Sequence, residues 1–155
     1  MIIKSVRGFK PMYGDDCFFA ENSVLIGDVI MGNNCSIWYS AVVRGDVNSI
    51  KIGDRVNIQD GAVIHGTYLK AKTEIGNDVS IGHNAIVHGC KIENSVLIGM
   101  GSIVMDNSII ETNSIIAAGS VVLENTHIKA GSIFAGVPAK KIKNVSNQVK
   151  KNEIE

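Results

Sequence analysis

The chain has 155 residues, which is enough for one domain with a sizeable core. Basic and acidic residues number 15 each, so the formal net charge is zero. This balance argues against a nucleic-acid-binding protein, which would usually carry a basic excess. Neither a signal peptide nor a membrane-spanning stretch is expected, because residues 1–10 and the rest of the chain lack a long continuous apolar run. Three cysteines are too few for a disulfide scaffold, so a cytoplasmic location is the simplest expectation.

The dominant pattern along the chain is a repeat of six residues. A large apolar residue recurs at this interval from Tyr13 to Val43, and the register resumes in three later blocks that end at Phe134. A small or β-branched residue often follows four positions after the large one. A period of six fits no α-helix, but it fits a short strand followed by a corner. Three such units close a triangular coil of 18 residues, and successive coils stack by parallel pairing.

The sequence therefore predicts an all-β solenoid. We expect a parallel β-helix over residues 13–138, preceded by a lead-in segment (residues 1–12) and followed by a short C-terminal helix or tail (residues 139–155). The hand of the coil is taken from the resemblance to hexapeptide-repeat proteins, whose coils are left-handed. Parallel crossovers in ordinary sheets are right-handed, so the repeat alone would not indicate this hand.

The repeat register breaks at three places. Three extra residues lie between Val43 and Ile52, five lie between Ile64 and Ile75, and one residue is missing before Ile92. Extra residues in a solenoid usually leave the coil as loops, often on the functional face. The breaks thus point to one region of the coil as the candidate site.

Three of the four histidines fall in this irregular region, and the repeat predicts how two of them align. His65 directly follows Ile64, and His88 directly follows Val87, one full coil later. The two side chains should stand one above the other at about 5 Å, close enough to share a metal ion. Arg44 occupies the same column one coil earlier.

A second column contains Asp60 and His83, each two residues after a large apolar residue. His83 belongs to the preceding face of the coil, across a corner from His65 and His88, so it is not expected to complete their site within one chain. Strict alternation would turn His83 inward, so this interpretation requires His83 to lie on the bend. A neighbouring copy related by a threefold axis would supply it. Three imidazoles with an open fourth position are typical of catalytic zinc, and Fe(II) and Co(II) accept the same ligands.

Several short motifs together resemble the γ-class carbonic anhydrase family over nearly the whole chain. They are Ser36-Ile37-Trp38, Arg44-Gly45-Asp46, Asn57-Ile58-Gln59-Asp60, His65, Gly82-His83, His88-Gly89-Cys90, Leu97-Ile98-Gly99-Met100-Gly101 and Gly136-Val137-Pro138-Ala139-Lys140. Each motif alone is weak, and Gly-Val-Pro-Ala also occurs in hexapeptide acyltransferases. Their combination is specific.

The resemblance implies a homotrimer with a zinc ion at each subunit interface. His65 and His88 would come from one subunit and His83 from its neighbour, while Arg44 and Asp60 would pair near or across the interface. A desolvated ion pair of this kind sets the register of assembly more than it adds stability.

The resemblance also implies a mechanism. A metal-bound hydroxide would attack carbon dioxide to give bicarbonate, with Gln59 beside the metal-bound solvent. Asp46 and Asn57 would not bind the metal but would position the residues that do. One departure concerns proton transfer, because active members carry an acidic loop with a glutamate shuttle. The corresponding segment here contains two lysines, and Glu74 is its only carboxylate.

Two other functions remain open at this point. The same scaffold serves acyl-CoA-dependent transferases or thioesterases, and fold alone does not separate them from a hydrating enzyme. A non-catalytic trimer with a structural metal is the third alternative. A structural zinc site normally has four protein ligands, whereas the sequence offers three.

Overall fold

A computed structural model describes residues 1–146, which form an all-β, left-handed β-helix of about seven turns. This confirms the predicted fold class. Within these residues no helix forms, and hence none that is long and apolar enough to cross a membrane.

Three faces make up the triangular coil. The first face contains β1 (Ile2–Lys4), β4 (Val24–Met31), β6 (Val42–Ile52), β8 (Val63–His65), β11 (Ile86–His88), β14 (Ile103–Val104) and β17 (Val121–Val122). The second face contains β2 (Met12–Tyr13), the C-terminal halves of β4 and β6, β9 (Thr73–Ile75), β12 (Lys91–Ile92), β15 (Ile109–Ile110) and β18 (His127–Ile128). The third face contains β3 (Phe18–Phe19), β5 (Ser36–Ile37), β7 (Asn57–Ile58), β10 (Ser80–Ile81), β13 (Leu97–Ile98), β16 (Ile115–Ile116), β19 (Ser132–Ala135) and β20 (Lys140–Asn144).

The core is a set of stacked aliphatic ladders, one for each face. Parallel pairing places the large residue of each repeat directly above that of the preceding coil. On the third face, for example, the ladder is fully buried and consists of Ile37, Ile58, Ile81, Ile98 and Ile116. Burying each such side chain contributes about 1.5–3 kcal/mol to the stability of the folded state. The six-residue period is therefore the spacing of the buried side chains, as predicted.

One corner of the coil requires glycine because a polar side chain from the next coil occupies its Cβ position. A Cβ atom at Gly53 would lie 2.2 Å from Oδ1 of Asn77, which itself accepts a hydrogen bond from the Asp54 amide. The same relation holds one coil earlier between Gly32 and the Asp54 carboxylate. Side-chain oxygens of one coil thus satisfy backbone amides of another, which fixes the stacking register.

The three breaks in the repeat have different structural outcomes. The extra residues after Val43 do not leave as a loop, contrary to expectation. They extend β6 to 11 residues, because its two ends pair with β8 and β9 on different faces. The extra residues after Ile64 do form a loop, residues 66–72, which is closed by a bridge between Thr67 and Ala71. The missing residue shortens the corner after β11, where Gly89 has a positive φ of 55°.

The C-terminal segment differs from the predicted helix. Residues 140–144 form β20, which runs antiparallel to β19. An added strand pairs with the otherwise open edge of the last coil, which a helix would leave unpaired. The remainder of the expected helix or tail, residues 147–155, lies outside the described residues. At the other end, β1 pairs in parallel with β4, so the lead-in segment contributes a strand to the first face.

Adjacent isoleucines in β15 test this description of the core. Ile110 is fully buried, whereas Ile109 points outward on the second face. We expect Ile110→Ala to lower the free energy of unfolding by about 2–5 kcal/mol, because it leaves a cavity in the ladder. Ile109→Ala should cost clearly less in the same urea titration. Equal costs for the two variants would contradict the inward and outward assignment.

Candidate functional site

The two aligned histidines face each other across neighbouring coils. His65 at the end of β8 pairs in register with His88 at the end of β11. Nδ1 of His65 lies 3.1 Å from Nε2 of His88, and the ring centroids are 5.1 Å apart. Two imidazole nitrogens bound tetrahedrally to one zinc ion would lie about 3.3 Å apart. The spacing of this histidine pair therefore suits two ligands of one metal ion.

Each histidine of the pair is held by a carboxylate at its other ring nitrogen. Nε2 of His65 lies 2.9 Å from Oδ1 of Asp46, and Nδ1 of His88 lies 2.6 Å from Oδ1 of Asp106. A carboxylate at this position fixes the orientation and tautomer of a metal-binding imidazole. It leaves the nitrogen that faces the other histidine as the one without a proton, which is the form a metal requires.

Asp46 connects the histidine pair to Arg44, which occupies the same column. Its second oxygen, Oδ2, accepts a hydrogen bond of 2.5 Å from Arg44. Burial tends to raise the pKa of the Asp46 carboxyl, but the hydrogen bonds from His65 and Arg44 outweigh it and lower that pKa. Asp46 is therefore charged at neutral pH and matches the positive guanidinium of Arg44.

Asp106 is a site residue that the sequence reasoning missed. It is only 5% exposed, and its second oxygen accepts a hydrogen bond of 2.6 Å from the Thr67 hydroxyl. Burial tends to raise the pKa of this carboxyl, but the hydrogen bonds from Thr67 and His88 lower it overall. The repeat register contained the signal, because Val104 stacks on Val87, which places Met105 in the column of His88 and Asp106 above Gly89, the residue after His88.

Thr73 ties the backbones of the two histidine corners together. Its buried hydroxyl donates to the carbonyl of His65 at 2.5 Å and accepts from the Gly89 amide at 3.0 Å. The loop between β8 and β9 and the short corner after β11 are thereby held in one arrangement. The alignment of the histidine pair depends on this link as well as on strand pairing.

His83 lies in the turn between β10 and β11, on the bend that the interfacial reading requires. Its side chain is 47% exposed, and Nδ1 lies 3.0 Å from Oδ2 of Asp60, so the predicted second column exists. His83 and Gln59 line an open groove of about 520 Å³ with apolar walls, to which Met100 and Lys143 also contribute.

The chain by itself does not bring all the predicted site residues together. Among residues 1–146, no three histidine, cysteine, aspartate or glutamate side chains surround one metal position. Arg44 pairs with Asp46, while Asp60 pairs with His83, so the expected Arg44–Asp60 contact is not made within the chain. Asn57 lies on the third face, where its carbonyl oxygen accepts hydrogen bonds from Ser36 and Trp38.

Two other polar residues of this region are directed away from the histidine pair. Glu74 projects from the second face and forms an ion pair of 2.6 Å with Lys72, so it does not approach His65. Cys90 is buried in the core, and burial raises the pKa of its thiol to about 12. Its side chain packs with the aliphatic core, whereas the histidine pair lies on the outer surface of the coil.

Comparisons with known proteins place this chain in a family. Residues 89–124 match a family model described as bacterial transferase hexapeptide (six repeats). A hexapeptide transferase family protein from Anaplasma phagocytophilum is 40% identical, with a TM-score of 0.92 over 97% of this chain and 88% of the other. The chain belongs to the bacterial hexapeptide-repeat transferase family.

Relatives of this chain carry names that refer to different reactions. A structure titled as a putative acetyltransferase of Bacillus cereus is 36% identical, with a TM-score of 0.95, and the match covers 97% of this chain and 87% of that one. Gamma carbonic anhydrase 2, a mitochondrial protein of Arabidopsis thaliana, is 40% identical over 144 residues. That match covers 90% of this chain but 52% of the plant protein, so the chain spans about half of this relative's length. Family membership thus leaves the reaction to be argued from the site.

The threonine link between the two histidine corners can be tested by an almost isosteric substitution. We expect Thr73→Val to lower the free energy of unfolding by about 0.5–1.5 kcal/mol, because the Gly89 amide and the His65 carbonyl lose the shared hydroxyl and keep only their direct hydrogen bond of 3.0 Å to each other. The matched control is Thr112→Val, whose hydroxyl bonds the Asn94 carbonyl near solvent, so water can replace it. Urea unfolding of both variants provides the comparison, and an equal loss in the two would contradict a specific role for Thr73.

Proposed function

We propose that this chain is a γ-carbonic-anhydrase-like metalloprotein that hydrates carbon dioxide reversibly to bicarbonate. In this proposal it acts as a homotrimer with one metal site at each subunit interface. His65 and His88 of one subunit and His83 of the next are the ligands, and the metal is zinc, with Fe(II) and Co(II) as alternatives.

The observation that carries the proposal is the arrangement of the histidine pair. Two ring nitrogens face each other at 3.1 Å, and the opposite nitrogen of each ring contacts an aspartate. With each outer nitrogen donating to its aspartate, the two facing nitrogens of neutral imidazoles both present lone pairs, which repel each other when no metal lies between them. A shared metal ion explains why both free lone pairs converge.

The absence of a third ligand within residues 1–146 supports a site between subunits. His83 is exposed on a bend at the edge of the first face, with Asp60 at its Nδ1. Its Nε2 atom is therefore the nitrogen available to a partner. A second copy that packed against the first face would bring this nitrogen towards the histidine pair.

The first face also has the composition of an interface. Its outward-pointing residues form an unbroken apolar column, one from each coil: Val24, Val42, Val63, Ile86, Ile103 and Val121. On the second face the corresponding column also contains Met12, Ile30 and Ile109, but it is interrupted by Lys51, Glu74, Lys91 and His127, which suit contact with water. An apolar stripe on the outside of a solenoid favours burial against another copy. The stripe lies on the same strands as the histidine pair.

The remaining predicted residues receive roles that follow from this packing. Arg44 keeps part of its side chain exposed beside the histidine pair, and Asp60 is exposed beside His83. Docking that unites the three histidines would bring this cation and anion together across the interface. Gln59 lines the groove next to His83, so its amide would be available to orient the substrate or attacking water.

The chemistry follows from the ligand set and the surrounding charges. Three neutral imidazoles would hold a metal ion with one coordination position open, and the ion, when bound, would supply an activated water as the nucleophile for carbon dioxide. Asp46 and Asp106 hold two of the imidazoles in place, and the apolar stripe keeps bulk water from the site. The similarity to a plant gamma carbonic anhydrase supports this reaction class.

A second candidate function is acyl transfer from acyl-CoA. The observation that favours it is the His83–Asp60 pair, which borders an apolar groove and resembles a general base held by a carboxylate. The similarity to a putative acetyltransferase points the same way. This reading gives no role to the histidine pair, and for that reason we place it second.

Mixing inactive subunits tests the interfacial site. Neither His83→Ala nor His88→Ala should bind metal alone, because each homotrimer lacks one ligand at every site. When the two variants are unfolded, mixed equally and reassembled, about a quarter of the sites should regain all three ligands. Metal content per subunit after dialysis measures this recovery.

The control for this mixture is His65→Ala with His88→Ala. These two ligands are expected from the same subunit, so no mixture of these chains restores a complete site. Recovery in the control, or no recovery in the first mixture, would contradict the proposed division of ligands. A monomer in solution would contradict the trimer itself.

Activity measurements separate the two candidate functions. We expect stopped-flow assays of anaerobically prepared protein, reconstituted with iron or with zinc, to show carbon dioxide hydration that His88→Ala abolishes. Acetyl-CoA should give no saturable heat in a calorimetric titration. Metal binding without hydration in either form would reject the hydrating enzyme, and saturable acetyl-CoA binding that depends on His83 would favour acyl transfer.

A further inference from the structure

The loop inserted between β8 and β9 contacts the Asp106 carboxylate through two of its side chains. Thr67, at its start, donates to Oδ2 of Asp106 at 2.6 Å. Lys70, at its tip, places Nζ at 3.7 Å from the same oxygen and at 3.4 Å from Glu124. The other oxygen of Asp106 accepts from Nδ1 of His88. The loop therefore contacts a ligand of the proposed metal site indirectly, through Asp106.

The backbone around His88 is shaped to admit the Asp106 carboxylate. A Cβ atom at Gly89 would lie 2.3 Å from Oδ1 of Asp106 and 2.6 Å from the side chain of Ala71 in the loop. Gly89 also has a positive φ of 55°, which follows from the shortened corner. The missing residue in the repeat and the inserted loop thus meet at the same point, with Asp106 between them.

A carboxylate held in this way selects one form of its histidine. Neutral imidazole carries one proton, which can reside on either nitrogen. Asp106, with one oxygen engaged by Thr67 and the other directed at Nδ1, places that proton on Nδ1 of His88. Nε2, which faces His65, then keeps its lone pair free for a metal ion. In free histidine the opposite tautomer predominates.

We propose that Asp106, fixed by Thr67 of the inserted loop, is a positioning residue that holds His88 in its metal-binding tautomer and orientation. The loop thereby acts on metal binding by fixing a ligand, although it lacks the carboxylate that a proton shuttle would need. The metal-affinity part of this inference rests on the proposed function, whereas the tautomer part applies to the metal-free protein.

Zinc affinity provides the first test. Asp106→Ala should weaken zinc binding about 10- to 100-fold in a competition titration with a chromophoric chelator, although all three histidines are retained. Asp106→Asn keeps an acceptor oxygen and should recover part of the affinity, and Thr67→Val should show a smaller loss. The control is Asp78→Ala, which removes an aspartate of the remote Arg55–Asp78 ion pair and should leave zinc affinity unchanged.

Nitrogen NMR of the metal-free protein reports the tautomer of His88, which would not change if Asp106 only stabilised the fold. At about pH 8, where ordinary imidazoles are neutral, His88 should carry its proton on Nδ1 in the natural chain and should shift towards the other tautomer in Asp106→Asn and Thr67→Val. Melting temperatures, measured in parallel, identify any variant that loses affinity only because it unfolds.

The outcomes distinguish this inference from the proposed function. If the natural chain binds zinc and the folded Asp106 variants bind it equally well, the positioning role is wrong and the metal site stands. If the natural chain binds no metal, the proposed function is wrong, and the tautomer of His88 still decides the role of Asp106. An unchanged tautomer in both variants would overturn the inference.

Discussion

The site depends on one constraint, which is that parallel stacking repeats every position of the chain one coil later. The ladder that buries Ile64 under Val87 also places His65 directly beneath His88. Core packing therefore fixes the separation of two functional side chains, so that no flexible segment has to bring them together. A site built in this way is preorganised, because moving one imidazole would require moving a rung of the hydrophobic core.

The irregular segments create space beside the histidine pair that a strictly periodic coil would lack. An unbroken solenoid would give every coil the same corners, with no room for a buried carboxylate beside a histidine. The loop of residues 66–72 and the shortened corner at Gly89 create that room for Asp106. β6 continues past Arg44, which keeps the register of His65, to Asp46, which contacts His65. The irregular coils thus surround the histidine pair with charge while the regular coils maintain the stack.

The outward-pointing residues of the first and second faces differ in polarity, which indicates different roles for the two faces. Both faces bury apolar residues on the inside, so the core does not explain why the outward column is apolar on the first face and interrupted by charged residues on the second. The proposed partner would explain it, since an apolar face gains more than a charged one from burial against another copy. The same face carries the histidine pair and the exposed cation Arg44, which would meet an anion in a partner. Assembly and metal binding are in this view properties of a single surface.

The sequence by itself determined the coil, the ladders, the alignment of His65 with His88 and the column of Asp60 with His83. All of these follow from counting residues, because stacking converts sequence distance into spatial position. Only the tertiary structure decided the course of the irregular segments: the extension of β6, the strand at residues 140–144 and the buried Asp106 between a loop and a corner. These depend on contacts between segments that have lost the common register, and a period carries no information where it is interrupted.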